Sequence, residues 1–249
     1  MTRFTYQLAR MAARFRALAR LDNEVERGTR VLMFHDLHES RSTSDLYTMP
    51  AESFRSGFTS LAKWMKEHQY DFLAFSPDPS PGVAVTFDDG YRSTMLIAAD
   101  VLPDQHIPFH VFVTKSYITS GDSRYLNESD LKRLVTIPGI TLGVHGVQHE
   151  RMSFMSEAKL REDLAESRDW LEQLTGAAIS TLSYPHGSFT PAVAAAVEEA
   201  GYLAAACSGS GTFSTEQQRF MIPRIDIWSQ DDGRVWIDKT RGSWDGILP

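Results

Sequence analysis

An α/β fold whose parallel sheet curls into a barrel or near-barrel is what this sequence predicts. Three observations carry that expectation. From Thr29 onward, short continuously apolar runs alternate with helical patterns; there are roughly seven such runs; and neither a linker nor an internal repeat divides the 249 residues. Alternation of strand and helix implies parallel strands joined by crossover helices. Seven strands in a chain this long favour a barrel over an open sheet.

The elements follow in order. Residues 1–27 read as a separate amphipathic helix ahead of a main domain at 28–249. Phe4, Leu8, Met11, Phe15 and Leu18 recur at helical spacing, and Arg3, Arg10, Arg14, Arg16 and Arg20 add positive charge with no acid before Asp22. Such a helix either packs on the domain or on a second copy, or lies on an anionic membrane surface. Buried strands are expected at 31–34, 83–87, 109–113, 140–144, 179–184, 202–206 and 221–225, where apolar residues run without alternation. Between them, Phe54, Phe58, Leu61 and Met65 form one helical stripe; Leu160, Leu164, Leu171 and Leu174 form another, which stops before Gly176. A third helix opens on Thr190 as N-cap with Pro191 in its first turn, and Gly201 closes it.

Composition excludes several classes of function. A formal charge of −7, from 32 acidic and 25 basic residues, argues against a nucleic-acid partner. Cys207 is the only cysteine, so an internal disulfide and a cysteine-based zinc site are both ruled out. No run approaches the ~18 apolar residues of a membrane-spanning helix, and no secretory signal is evident. The expected location is therefore cytoplasmic.

Chemistry concentrates in two fragments. In Thr86-Phe87-Asp88-Asp89-Gly90 an apolar strand ends in two carboxylates and a glycine. Strand ends are where α/β enzymes place working groups, and adjacent carboxylates in a dry site need a cation. The alternative is a solvated Asp-Asp-Gly turn. In His145-Gly146-Val147-Gln148-His149, two histidines four apart follow a buried strand. A lone pair at this spacing also occurs on surface helices. Joined to Asp89, it gives a two-histidine, one-carboxylate set with coordination positions open, the arrangement of a hydrolytic metal. His110, inside an apolar strand, reads as a satisfied core histidine.

These fragments, with Ser183-Tyr184-Pro185-His186-Gly187, resemble the polysaccharide deacetylase family, the NodB-homology domains of carbohydrate esterase family four. The resemblance spans roughly residues 31–227. It implies a distorted (β/α)7 barrel with the N-terminal helix as an addition. It further implies metal-dependent removal of N-acetyl groups from a sugar, with Asp88 as general base and Asp89, His145 and His149 as metal ligands. The third motif, through Tyr184, Pro185 and His186, would line the substrate groove and give a backbone N–H to the oxyanion. Zinc is the implied ion; the ligand set would also accept cobalt, nickel or iron.

Two departures stand out. The family usually has Ser or Thr where this chain has Gly146, and no histidine after Ile227 matches the family's late general acid. Leu32-Met33-Phe34-His35-Asp36 looks like that missing strand moved to the front, the permuted order of the branch that deacetylates poly-N-acetylglucosamine. His35 is accordingly the candidate general acid. Arg224, in Ile222-Pro223-Arg224-Ile225-Asp226, could supply the positive charge that common members place beside the catalytic Asp, or pair structurally with Asp226. Two other readings stand beside deacetylation: hydrolysis of another small C–N substrate, and carbohydrate binding without catalysis.

Overall fold

The strand Thr29–Phe34, which contains the apolar run 31–34, is buried along its whole length, as an interior strand of a doubly covered sheet should be. This computed structural model describes residues 3–18, 24–38, 45–95 and 107–247. Its strands are β1 (Thr29–Phe34), β2 (Asp36–His38), β3 (Thr48–Pro50), β4 (Phe72–Leu73), β5 (Gly82–Phe87), β6 (Phe109–Val113), β7 (Ile140–Val144), β8 (Thr181–Ser183), β9 (Ala204–Ala206) and β10 (Ile225–Asp226). The main sheet runs β10-β1-β5-β6-β7-β8-β9, with β4 beside β5, and every pair is parallel. A short parallel pair, β2 and β3, stands apart from it.

The curled sheet is bridged by a narrow stave. The Ile222 N–H donates to Ala205 O of β9 at 2.9 Å, and three residues later Ile225 pairs with Leu32 of β1. Residues 222–226 therefore touch both edges of the sheet. In place of the strand expected at 221–225 there is a two-residue strand at Ile225–Asp226 that shares only Ile225 with it, and those expected at 179–184 and 202–206 shorten to three residues each.

Helices α1 (Arg3–Leu18), α2 (Ala51–Glu67), α3 (Lys115–Thr119), α4 (Glu128–Leu134), α5 (Glu157–Thr175), α6 (Pro191–Glu199) and α7 (Gly233–Thr240) cover the outside. Their ends follow the sequence signals. Thr190 Oγ1 accepts the Val193 N–H at 3.2 Å, and α5 stops at Gly176 with φ of 72°. The α2 stripe packs Phe54 and Phe58 against Phe34, Phe87 and Trp236, with ring centroids 4.7–6.1 Å apart. Each buried ring contributes about 1.5–3 kcal/mol. Gly57 lets α2 and α7 come this close, since a Cβ there would meet the Trp236 ring at 2.6 Å.

The N-terminal segment departs from its expected form in two ways. The helix is described over Arg3–Leu18, and Glu24–Arg27, expected to be helical, form a 3-10 turn whose Val25 is sunk in the main core. The helix also docks through the face opposite the one its large apolar residues suggest. Tyr6, Ala9 and Ala13 pack on Val235 and Trp244, while Leu8, Met11, Phe15 and Leu18 point outward. Small side chains allow close approach, and the Tyr6 hydroxyl fixes the register by donating to Asp231 Oδ1 at 2.7 Å. The Phe4, Arg3 and Arg20 side chains fall outside the described set. Among the described residues, no helix is long and apolar enough to cross a membrane.

Candidate active site

The functional side chains gather at the carboxyl ends of β1, β5, β7 and β8, where parallel strands stop pairing and their loops fan out. His35, Asp88, Asp89, His145, His149 and His186 all line one cavity of about 350 Å³. The backbone is tense here. Of the four non-glycine residues with left-handed φ among those described, Asp89 (70°), His149 (56°) and His186 (58°) belong to this cavity. Asp and His tolerate that region better than most side chains, and such conformations persist where surrounding contacts over-determine them.

Asp88 and Asp89 are adjacent but meet different surroundings. Asp88 is buried and gripped by Arg224, whose Nη1 donates to Oδ1 at 2.6 Å and Nη2 to Oδ2 at 2.7 Å. Ser183 Oγ donates to Oδ2 at 3.1 Å and itself accepts from Arg224 Nη2 at 2.7 Å. Burial alone would raise the Asp88 pKa; the Arg224 guanidinium is the leading cause that outweighs it and holds the carboxyl well below the usual range. Arg224 therefore pairs with Asp88 and not with Asp226. It lies behind Asp88, anchored through Nε to Cys207 O at 3.1 Å.

Asp89 has no such cation. Its ion-pair contacts among the described residues are to His149 Nε2 at 3.2 Å and His145 Nε2 at 3.6 Å, and Oδ1 receives no well-formed hydrogen bond. The two Nε2 atoms stand 3.2 Å apart. His145 Nδ1–H donates to Ser183 O at 2.7 Å, which turns the Nε2 lone pair into the cavity. Burial pushes the His145 pKa down to about 4, so the ring is neutral at pH 7 and free to act as a ligand. A tetrahedral ion with bonds of ~2.0–2.1 Å would need donors ~3.3 Å apart. The triangle of 3.2, 3.2 and 3.6 Å meets that requirement. With Asp88 neutralised by Arg224, Asp89 contributes an uncompensated negative charge, which suits a divalent cation.

The glycine that departs from the family pattern is accommodated. Gly146 has φ of 76°, and a Cβ there would lie 3.3 Å from Asp163 Oδ1 and 3.4 Å from the Pro185 ring. Asp163, from α5, accepts the Val147 N–H on Oδ2 at 3.0 Å and braces the loop between the two histidines. Burial raises its pKa to about 6. Sequence inspection missed Asp163 because nothing in an amphipathic helix marks one acid among many as buried.

The third motif divides between support and cavity wall. Tyr184 donates its amide N–H to Ala206 O at 3.0 Å and its hydroxyl to Phe220 O at 2.9 Å, so both donors serve the fold. Pro185 is buried beneath and has no N–H. Gly187 N–H donates to Tyr184 O at 2.8 Å. Tyr184, His186 and Gly187 all line the cavity, and the His186 ring stands 4.4 Å from the His149 ring. His35, at the end of β1, lies across the cavity beside Tyr47, with ring centroids 4.7 Å apart.

Asp226 was missed as a site residue. It is on the short stave two residues after Arg224, lines the same cavity as His35, and its buried Oδ1 has no hydrogen-bond partner. Burial raises its pKa, with His35 working against that rise. The period-two placement of Arg224 and Asp226 was the available signal. His110 is as expected, buried with both ring nitrogens engaged, to Thr141 Oγ1 at 2.6 Å and Thr181 Oγ1 at 2.9 Å.

A curled parallel sheet with carboxylates and histidines converging at its strand ends defines an α/β-barrel-type protein with a rim-mounted polar site. The polysaccharide deacetylase family model matches residues 76–205, just over half of the chain, and the chain belongs to that family. YxkH of Bacillus subtilis (strain 168), whose polysaccharide deacetylase name is itself provisional, is 22% identical over 207 residues, covering 79% of this chain and 70% of the relative. The Streptococcus pyogenes deacetylase PplD, solved in complex with acetate, superposes with a TM-score of 0.74 at 18% identity, covering 86% of this chain and 98% of the other. IcaB from Ammonifex degensii gives 0.69 at 20% identity, covering 86% and 97%. At these identities the likeness establishes the shared fold. Family membership makes the chain a deacetylase-type hydrolase.

Proposed function

We propose that this protein hydrolyses the acetamide of an N-acetylated sugar or oligosaccharide, with Asp89, His145 and His149 holding one divalent ion. The observation that carries this reading is the triangle of metal-grade donors beside a separately clamped, ionised Asp88. When bound there, a divalent ion, zinc by family resemblance, would polarise the acetyl carbonyl and lower the pKa of a water from ~16 toward ~7.

Asp88 accepts the water's proton. Three of its four lone-pair directions are taken by Arg224 and Ser183, which fixes the carboxylate plane and leaves one direction open. The His186 N–H, not spent on the turn as those of Tyr184 and Gly187 are, donates to the developing oxyanion. His35, which lines the same cavity as Asp226, protonates the departing nitrogen from the far wall. One C–O bond forms and the C–N bond breaks, giving acetate and a free amine.

The test is acetate release across a panel of N-acetylglucosamine, its oligomers, nucleotide-linked and lipid-linked N-acetyl sugars, formamides and cyclic amides. Release from at least one N-acetylated sugar is expected. Turnover confined to formamides or cyclic amides would move the assignment to another C–N hydrolase; binding without any turnover would make the chain a carbohydrate-binding homologue.

A further inference from the structure

The outward face of α1 is an exposed apolar feature that catalysis does not use. Leu8, Met11, Phe15 and Leu18 are 53%, 70%, 74% and 67% exposed, four of the eight large hydrophobic side chains with high exposure among the described residues. At 3.6 residues per turn these four fall within roughly 80° of arc, nearly opposite the docked Tyr6, Ala9, Ala13 and Ala17. The helix therefore has two apolar faces. The face made of alanines is already covered by α7 and Trp244. The face with the larger side chains is left in water, where it costs free energy unless something covers it.

Charge indicates what that something is. The first 21 residues carry five arginines and no acid, in a chain whose formal charge is −7. Arg14 is exposed on one flank of the stripe. Arg10 reaches Asp232 at 2.5 Å and Arg16 donates to Asp245 O at 2.8 Å, which ties the helix down at two points along its length. A second copy docking by the same face would bring two arginine-rich helices together and repel. An anionic lipid surface instead receives the apolar stripe among its acyl chains and the exposed Arg14 beside it among its headgroups.

From this arrangement we infer that α1 is a membrane-surface anchor, lying in the plane of an anionic bilayer through Leu8, Met11, Phe15 and Leu18. Its N-terminal turn is joined through the Tyr6–Asp231 hydrogen bond to the loop after β10. Asp226 on that strand lines the catalytic cavity. Anchoring would thus hold the cavity rim at a defined place relative to the lipid surface.

The experiment is flotation of the full chain with phosphatidylcholine vesicles containing about one-third phosphatidylglycerol, and with pure phosphatidylcholine vesicles. Parent protein, the double variant Met11→Ser/Phe15→Ser and Arg14→Glu are compared, each checked by thermal melting and by sedimentation without lipid. Parent protein is expected to float with the anionic vesicles at least ~10-fold better than with neutral ones. Both variants should lose most of that binding while keeping the parent melting temperature. Failure of the parent to float, or equal flotation of the serine variant, overturns the inference. A parent dimer that the serine substitutions dissociate, with no vesicle binding, overturns it in favour of a second copy.

Discussion

Asp88→Asn is expected to lower kcat by about 10²–10⁴-fold while leaving metal affinity within about tenfold of the parent. The size follows from what the substitution removes. Asparagine matches aspartate in shape and still accepts one hydrogen bond from Arg224, but it cannot take a proton from water. Metal affinity should persist because Asp88 is not in the donor triangle, its nearest approach being Oδ2 at 3.7 Å from His145 Nε2. Turnover of the Asn variant should not be rescued by excess metal. A turnover within threefold of the parent, or a parallel collapse of metal affinity, would show that the labour is not divided between the two carboxylates.

Arg224→Met is expected to destabilise the fold by about 3–5 kcal/mol and to move the acid limb of kcat/KM to higher pH. Removing the guanidinium leaves Asp88 buried beside an apolar chain, and the cation that overcomes its burial is gone. The sign is fixed by the direction of the shift. In the parent the folded pKa of Asp88 lies below its ordinary value, so the pair contributes stability at pH above ~4 and loses it as the pH falls further. In the variant burial prevails, the carboxyl titrates above its ordinary value, and the base becomes protonated at a pH where the parent's is ionised. Arg224→Lys should fall between the two, keeping the charge but losing the two-pronged grip at 2.6 and 2.7 Å. Denaturant melts and a pH–rate profile check both parts; an unmoved acid limb would remove Arg224 from the account of the base.

Much of the fold was legible because its strands are buried on both faces and therefore read as unbroken apolar runs. The 31–34 and 83–87 runs fall inside β1 and β5, and Gly176 and Thr190 mark helix ends where expected. What could not be read was decided by tertiary contact. The docked face of α1 is made of alanines, whose weak apolar signal is outvoted by leucine, methionine and phenylalanine in any periodicity count. Arg30 is likewise invisible as a core residue from sequence. It is fully buried at the start of β1, donating to the Lys239 and Thr240 carbonyls at the end of α7 and pairing with Asp245 at 2.7 Å.

The site shows the same division. Asp88, Asp89, His145 and His149 could be found because adjacent carboxylates and a four-residue histidine spacing are chemically unusual beside apolar strands. Whether Arg224 faced Asp88 or Asp226 depended on the path of a stave five residues long, which no local pattern encodes. Asp163 and Asp226 were hidden for a related reason: burial makes each of them matter, and burial is a property of the assembled barrel.

Acetate release from an N-acetylated oligosaccharide, followed through metal removal and return, tests the central claim most directly. Protein stripped by chelator should release none, and about one equivalent of zinc per chain should restore turnover. Substituting His149→Ala should abolish both stoichiometric binding and recovery. Full turnover by metal-free protein, or one equivalent of metal still bound after both His145 and His149 are replaced, would contradict it.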